Sequence, residues 1–383
     1  MPATIGALSN LTALSVISND LVILPPEIGR LLRLEELNLI DNCLTELPPE
    51  IGRLERLRTL ACPENHLRAL PAAIGGLGRL ESLSLDGNRL TELPAEFAAL
   101  RSLNSLQLHN NPLRQVPPQI CRLAGLKDLD LSETILSTLP EELADLKNLE
   151  HLTLFTNPIT AVPGCLAELA NLMELNLEDV DMETFQEGLC DISSLTSLSV
   201  GSNGLETLPF RLGSLSKLCE LNIDENNFRE LPEAISEVRE LETLSACRNY
   251  IEEVPAWIGD MASLRDLALM NNNIEGLPTE ISKLDRLVEL SLDRNRFRAF
   301  PDALLLLDHL EELSLSENSL TALPNDINRM RSLKKLDLRD NLLTELPPEL
   351  ARIPSLKKVL ISRNPITRIP KELSDRSILS IEW

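Results

Sequence analysis

Residues Leu34 to Arg56 read LEELNLIDNCLTELPPEIGRLER, and this 23-residue stretch decides the fold. Counted from its first leucine, apolar side chains fall at positions 1, 4, 6, 11, 14, 18 and 21, with Asn42 at position 9 and Pro48 at position 15. The opening LxxLxL alternates with the two-residue period of a strand, whereas PxxIxxL runs at the three-residue spacing of a helical turn. One unit therefore codes a short strand, a turn and a helical return.

The unit is written again along the whole chain. Its first leucine recurs at every 23rd residue from Leu11 to Leu356, sixteen frames in fifteen steps with no insertion or deletion. A fixed period of roughly 20 to 29 residues carrying L-x-x-L-x-L-x-x-N-x-L is the signature of the leucine-rich repeat. The expected fold is an α/β solenoid, a leucine-rich-repeat horseshoe with a parallel inner sheet and short helical or 3-10 returns on the convex side. Residues 1–10 form a partial first repeat, 11–378 the sixteen full repeats and 379–383 a C-terminal edge segment. Strands roughly 4.8 Å apart on the inner edge and returns nearer 8 to 10 Å apart on the outer edge would bend the stack. Seven large apolar side chains per repeat, each contributing about 1.5 to 3 kcal/mol when buried, do not offset the chain entropy of one repeat alone. A stack of repeats does, because each buries its face against its neighbours.

Position 9 is Asn in every frame except two, from Asn19 to Asn364. A buried carboxamide at this bend is expected to bond backbone groups of neighbouring turns, as a ladder along the stack. Thr134 keeps one hydroxyl for that role and Val180 keeps nothing. The same eighth repeat replaces Leu-Pro by Phe185-Gln186, so it is expected to be the irregular point of the arc. Proline at position 15, as in Pro48, Pro94, Pro140 and Pro324, suits the first position of a short helix, and Glu50, Glu141 and Glu280 just after it suit the positive end of the helix dipole.

Composition narrows the partners. A formal charge of −23, from 36 Lys+Arg against 59 Asp+Glu, argues against nucleic acid and anionic membrane and favours basic proteins. The seven cysteines are scattered without disulfide-framework or metal-ligand spacing, which points to the cytoplasm. No charged-then-apolar leader and no apolar run near 18 residues is present. At the start, Pro2, Ile5 and Leu8 fall one period before Pro25, Ile28 and Leu31, so the chain begins within a repeat. At the end, SILSIEW breaks the register and is expected to add an edge strand, with Trp383 over the open core.

Because positions 4 and 6 point inward, positions 3, 5, 7 and 8 face the concave surface. Repeats 1 to 7 place Glu36, Asp41, Glu64, Asp86, Asp128, Asp130 and Glu133 there, with no Lys or Arg. Repeats 8 to 14 add Glu174, Glu178, Asp179, Glu220, Asp224, Glu225, Asp266, Glu289, Asp293, Glu312 and Glu317 against Arg248 and Arg294. Lys335, Arg339, Lys358 and Arg363 reverse the sign in repeats 15 and 16. The reading is an acidic trough with a basic end that binds a basic protein face, the acid steering encounter and the basic pole fixing orientation; the competing reading is a solvated face that keeps a solenoid soluble. Phe155, Met270 and Cys247 at position 7, with Ile17 and Ile40, are candidate anchors, and Tyr250 lies at the rim. Phe97, Phe185, Phe228, Phe297 and Phe300 fall at core positions, whereas Phe210 and Trp257 are placed on the convex side.

No enzyme constellation survives inspection. His109 and His151 stand two repeats apart, roughly 10 Å, too far to share a metal with ligand distances of about 2.1 Å. Cys190-Asp191 has no histidine nearby in the repeat, and phosphate-loop, zincin, nucleophile-elbow and C-x-x-C motifs are missing. No cofactor or metal is expected. The pairs Glu178-Asp179 and Asp224-Glu225 leave a shared cation as a weak alternative.

The unit LxxLxLxxNxLxxLPxxIxxLxx resembles the 23-residue intracellular repeats of Ras-associated scaffold proteins, of the Scribble and Erbin group, and of their plant relatives. Similar repeats occur in bacterial proteins and in Roco-type GTPases, fused to other domains. The resemblance covers essentially the whole chain and implies a cytosolic interaction scaffold in signalling. It carries over no binding residues, because these lie at positions the motif leaves variable. Two functions stay open, a stand-alone scaffold recruiting a basic partner and the recognition arm of a larger enzyme such as a Roco GTPase, a kinase or a ligase-type effector.

Overall fold

A computed structural model describes residues 1–375 and 379–382. Among them are seventeen strands of three residues each, from β1 (Ala13–Ser15) at 23-residue intervals through β8 (Glu174–Asn176) and β9 (Ser197–Ser199) to β16 (Lys358–Leu360), then β17 (Ser380–Glu382). Internal contacts divide the chain into a first unit, Met1–Met182 with Gly188–Leu195, and a second, Glu183–Glu187 with Thr196 onward. Within each unit neighbouring strands pair in parallel and in strict repeat register, Glu36 beside Thr59 in the first and Glu289 beside Glu312 in the second. The boundary between the units runs through the eighth repeat, the one whose motif is irregular, to the first residue of the ninth.

The strands are short because only positions 3 to 5 alternate before the chain must turn inward. In the second repeat Leu34, Leu37, Leu39, Leu44, Leu47, Ile51 and Leu54 are all at most 3% exposed, so every apolar position of the motif lies in the core. Phe97, Phe228 and Phe297 are fully buried, but Phe185 is half-buried, since its repeat lacks the proline that starts a regular return.

The returns are 3-10 turns of mostly five residues, such as Pro49–Arg53, closed by i to i+3 bonds like that from the Ile51 amide to the Pro48 carbonyl at 3.0 Å. Position-15 proline therefore stands one residue earlier than expected, at the N-cap rather than the first helical position. Its extended backbone, φ −67° and ψ 146° at Pro48, lets its carbonyl take the first bond, and the missing amide hydrogen costs nothing there. The returns also stack more tightly than the spacing of full helices. A Cβ added at Gly52 would lie 2.2 Å from the Ala73 carbonyl oxygen, and one at Gly259 the same distance from the Glu280 oxygen. Glycine at these positions is a requirement of backbone approach.

The asparagine ladder forms as the motif implies. Asn42 Oδ1 accepts from the Leu21 amide at 3.1 Å, and its Nδ2 donates to the carbonyls of Val16, Leu39 and Ile40. The pattern repeats at Asn65, Asn111, Asn226 and Asn318. Thr134 substitutes with its hydroxyl, which donates to the Leu131 carbonyl and to Asn157 Oδ1. At the C-terminal end β17 pairs with β16, Val359 beside Ile381, a step of 22 residues instead of 23, so the expected register break and edge strand are both present. Trp383 lies outside the described residues.

Candidate functional site: the solvent face of the strand ladder

Two backbone features shape the solvent face. Position 8 adopts left-handed φ in all sixteen repeats, from Ser18 at 52° through Asp41 at 56°, Gly87 at 61° and Glu225 at 53° to Arg363 at 58°. This turn lets the position-8 amide reach the position-7 carbonyl of the next repeat, as Asp41 does to Pro63 at 3.0 Å, which extends the ladder beyond the strands. The position-7 amide is left over, and in eight repeats a carboxamide or carboxylate accepts it. Asn38, Asn176 and Asn222 at position 5 accept it within their own repeat, as do Asp130 and Asp337. Asp86, Asp224 and Asp293 at position 7 accept it from the next repeat, from His109 at 3.2 Å, Cys247 at 2.6 Å and Ser316 at 2.7 Å.

Several side chains expected to serve a partner thus serve the backbone. Asp224 Oδ1 also accepts from the Ser245 hydroxyl at 2.7 Å, and Asp293 Oδ1 from that of Ser314. Beside Asp224, Glu225 is paired with Arg248 at 2.5 Å, so neither carboxylate is left for a shared cation. Among the described residues no group of three His, Cys, Asp or Glu is placed to hold a metal ion.

In the first unit Glu174 lies 3.7 Å from His151 Nε2, and Glu178 and Asp179 follow on the same repeat, Asp179 in the left-handed turn. His109 is more than a solvated side chain, because its Nδ1 sits 3.1 Å from Asp86 Oδ1 and 3.7 Å from Asp130 Oδ2. Burial raises the Asp86 carboxyl above its usual range, against the lowering effects of Ser84 and His109. Phe155 is half-buried on this face.

In the second unit the position-3 column carries Glu220, Asp266, Glu289 and Glu312 on parallel strands. Burial raises the Asp266 carboxyl, and burial followed by repulsion from Asp266 and Glu312 raises that of Glu289. Met270, 37% exposed, stands on the same face, whereas Cys247, expected as an anchor, is buried under the ladder's bend with its thiol pushed up to about 11 by burial. The expected basic pole is already neutralised. Lys335 pairs with Glu312 at 2.9 Å, Arg339 with Asp337 through Nε at 2.9 Å, Lys358 with Glu382 at 2.8 Å and Arg363 with Asp340 at 3.2 Å. Asp337 and Asp340 lie at positions 5 and 8 of the same repeat as Lys335 and Arg339, so the residues that cancel the pole were visible in the sequence. Glu220, Asp266 and Glu289 have no ion-pair partner among the described residues.

A regular parallel ladder with a polar, preorganised solvent face and a buried leucine stripe defines a repeat solenoid of the leucine-rich-repeat class. Family models agree: one described as a leucine-rich repeat region matches residues 26–116 and 75–176, and one described as leucine rich repeat matches 239–297, 285–343 and 308–366. A leucine-rich-repeat protein of Leptospira interrogans is 35% identical with a TM-score of 0.79, covering 100% of this chain and 92% of its own. The chain belongs to the leucine-rich-repeat family. It is also similar to the ectodomain of the Arabidopsis thaliana receptor kinase GASSHO1/SCHENGEN3 in complex with CASPARIAN STRIP INTEGRITY FACTOR 2, at 29% identity and a TM-score of 0.70 over 100% of this chain and 48% of that one. The plant peptide hormone receptor RGFR1, in complex with RGF2, follows at 27% identity and 0.63 over 100% of this chain and 71% of that one. No curated protein sequence matches. Among the described residues no helix is long and apolar enough to cross a membrane.

Proposed function

We propose that this chain is a non-enzymatic protein–protein interaction scaffold of the cytoplasm that recruits a basic partner, in signalling, through carboxylates on the solvent face of its strands. The observation that carries the reading is the unpaired column of Glu220, Asp266 and Glu289, three carboxylates on one rigid ladder whose neighbours pair their own charges. Desolvation, and repulsion from Asp266 and Glu312 that Lys335 only partly offsets, hold Glu289 above its ordinary range, and a cationic partner would relieve the repulsive part. Binding of protein or peptide partners by the plant ectodomains with this fold supports an interaction role. Seven free cysteines fit a reducing compartment.

Within this reading Glu220, Asp266, Glu289 and Met270 are the contact residues of the second unit, and Phe155, Glu174, Glu178 and Asp179 those of the first. Asp224 and Asp293 hold the backbone, and Lys335, Arg339, Lys358 and Arg363 bound the acidic stretch as ion pairs. Zero-length carbodiimide cross-linking in a native lysate tests this. Partner lysines should join to Glu220, Asp266 or Glu289, and cross-links confined to the 3-10 returns would overturn the proposal.

A further inference from the structure

Beside the ladder of the second unit, two contiguous recesses of about 400 and 540 Å³ run along one flank and share Glu252 and Asn273. They are built from positions 10 to 15 of successive repeats, where the chain leaves the asparagine bend. Tyr250, the chain's one tyrosine, stands in the first with 56% of its surface exposed. Its backbone is tied down, the amide donating to the Phe228 carbonyl at 2.9 Å and its carbonyl accepting from Asn273 Nδ2 at 3.4 Å. An aromatic ring on a fixed backbone has only two side-chain torsions to lose on meeting a ligand.

The charges of this cleft are unlike those of the strand face. Glu206, Glu252, Glu253 and Glu275 line it with Arg229 and Arg296, and none of the six is in an ion pair among the described residues. Four carboxylates against two guanidinium groups leave the cleft acidic, next to an exposed aromatic ring. That combination is the chemistry that receives a cation, through the ring face and through carboxylates together.

We propose that this flank cleft docks an extended basic peptide segment, with one arginine over Tyr250 and a second cation among Glu252, Glu253 and Glu275. The two recesses span repeats 9 to 12 and 11 to 13, so their centres are about one and a half repeats apart, about 7 Å at the strand spacing. Two or three residues of strand or polyproline chain, at about 3.1 to 3.3 Å each, cover that span. A helix rising 1.5 Å per residue would need about five. The fitting segment therefore carries arginines two or three residues apart on an extended backbone. This surface is separate from the position-3 column and stands or falls independently of it.

Replacing the single tyrosine by 3-fluorotyrosine places one ¹⁹F resonance at the site. Titration with the peptide Ala-Arg-Pro-Pro-Arg-Ala should move it saturably, and the same peptide with citrulline for arginine should not. Glu252→Gln with Glu275→Gln should weaken binding by roughly tenfold, whereas Asp266→Asn with Glu289→Gln on the strand face should leave it within about twofold. All four are exposed or half-exposed side chains, and an unshifted ¹⁹F line in each free variant shows that its cleft is intact. No saturable shift, equal binding of the citrulline peptide, or equal weakening by the two double variants would each overturn the proposal.

Discussion

Asn226→Ala is expected to cost about 2 to 4 kcal/mol. Asn226 is 3% exposed, and its Oδ1 accepts from the amides of Leu205 at 2.8 Å and Asn203 at 3.2 Å. Its Nδ2 donates to the carbonyls of Val200, Ile223 and Asp224. Those carbonyls keep other donors, Asn203 Nδ2, Asn249 Nδ2 and the Ser202 amide, so the cost lies chiefly with the Leu205 amide. A buried group left unsatisfied costs about 1 to 3 kcal/mol, and the cavity adds to it. Because a solenoid's stability is a sum over repeats and their interfaces, the lesion should be local. Amide exchange should accelerate about 30- to 700-fold at Leu205 and its neighbours and little in the second to fourth repeats, at tenfold per 1.4 kcal/mol. Asn19→Ala, at an exposed asparagine with one side-chain bond, should cost less than about 1 kcal/mol. Equal urea midpoints for Asn226→Ala and Asn19→Ala would refute the assignment of the ladder as the polar support of the bends.

Three further outcomes follow from the geometry. Gly52→Ala should destabilise by about 2 kcal/mol or more, since its Cβ meets a backbone oxygen, while Gly78→Ala, with open space around the Cβ, should be neutral or stabilising by up to about 1 kcal/mol in thermal melts. Asp266 has its pKa raised by burial, so its folded state holds the proton more tightly than the unfolded chain; its contribution to stability grows as pH falls through the folded value and is complete below the unfolded one. Asp266→Asn should accordingly stabilise at pH 7 by a few tenths of a kcal/mol to about 1 kcal/mol after screening, an advantage that shrinks by about pH 4 in urea titrations. Iodoacetamide should label the half-buried Cys43 well before Cys62, which is fully buried with its thiol pushed up to about 12, as peptide mapping would show.

The residues that the motif fixes were legible because one physical demand acts on each. Apolar positions 1, 4, 6, 11, 14, 18 and 21 must be buried, and the carboxamide of position 9 must serve two turns, so both could be read from period and residue type alone. Position 8 gave no such signal. Glu64, Arg248 and Thr156 do not favour left-handed backbone, and the ladder holds them there at a cost of order 1 kcal/mol each. The leftover position-7 amide follows from that turn, so the structural duty of Asp86, Asp224 and Asp293 was hidden among acidic residues that looked available to a partner. The expected basic pole is offset for a simpler reason: Asp337 and Asp340, at positions 5 and 8 of the fifteenth repeat, pair with Arg339 and Arg363. Net sign along a column predicts local potential only after such pairs are removed.

The central claim rests on the unpaired column of the second unit, and affinity capture from a native lysate at about 0.1 M salt, read by mass spectrometry, tests it most directly. Wild type would run beside Glu220→Lys/Asp266→Lys/Glu289→Lys, which spares the backbone acceptors Asp224 and Asp293. A basic protein retained by the wild type and lost by the folded triple variant is the predicted result, and retention of the same basic protein by both would contradict the account.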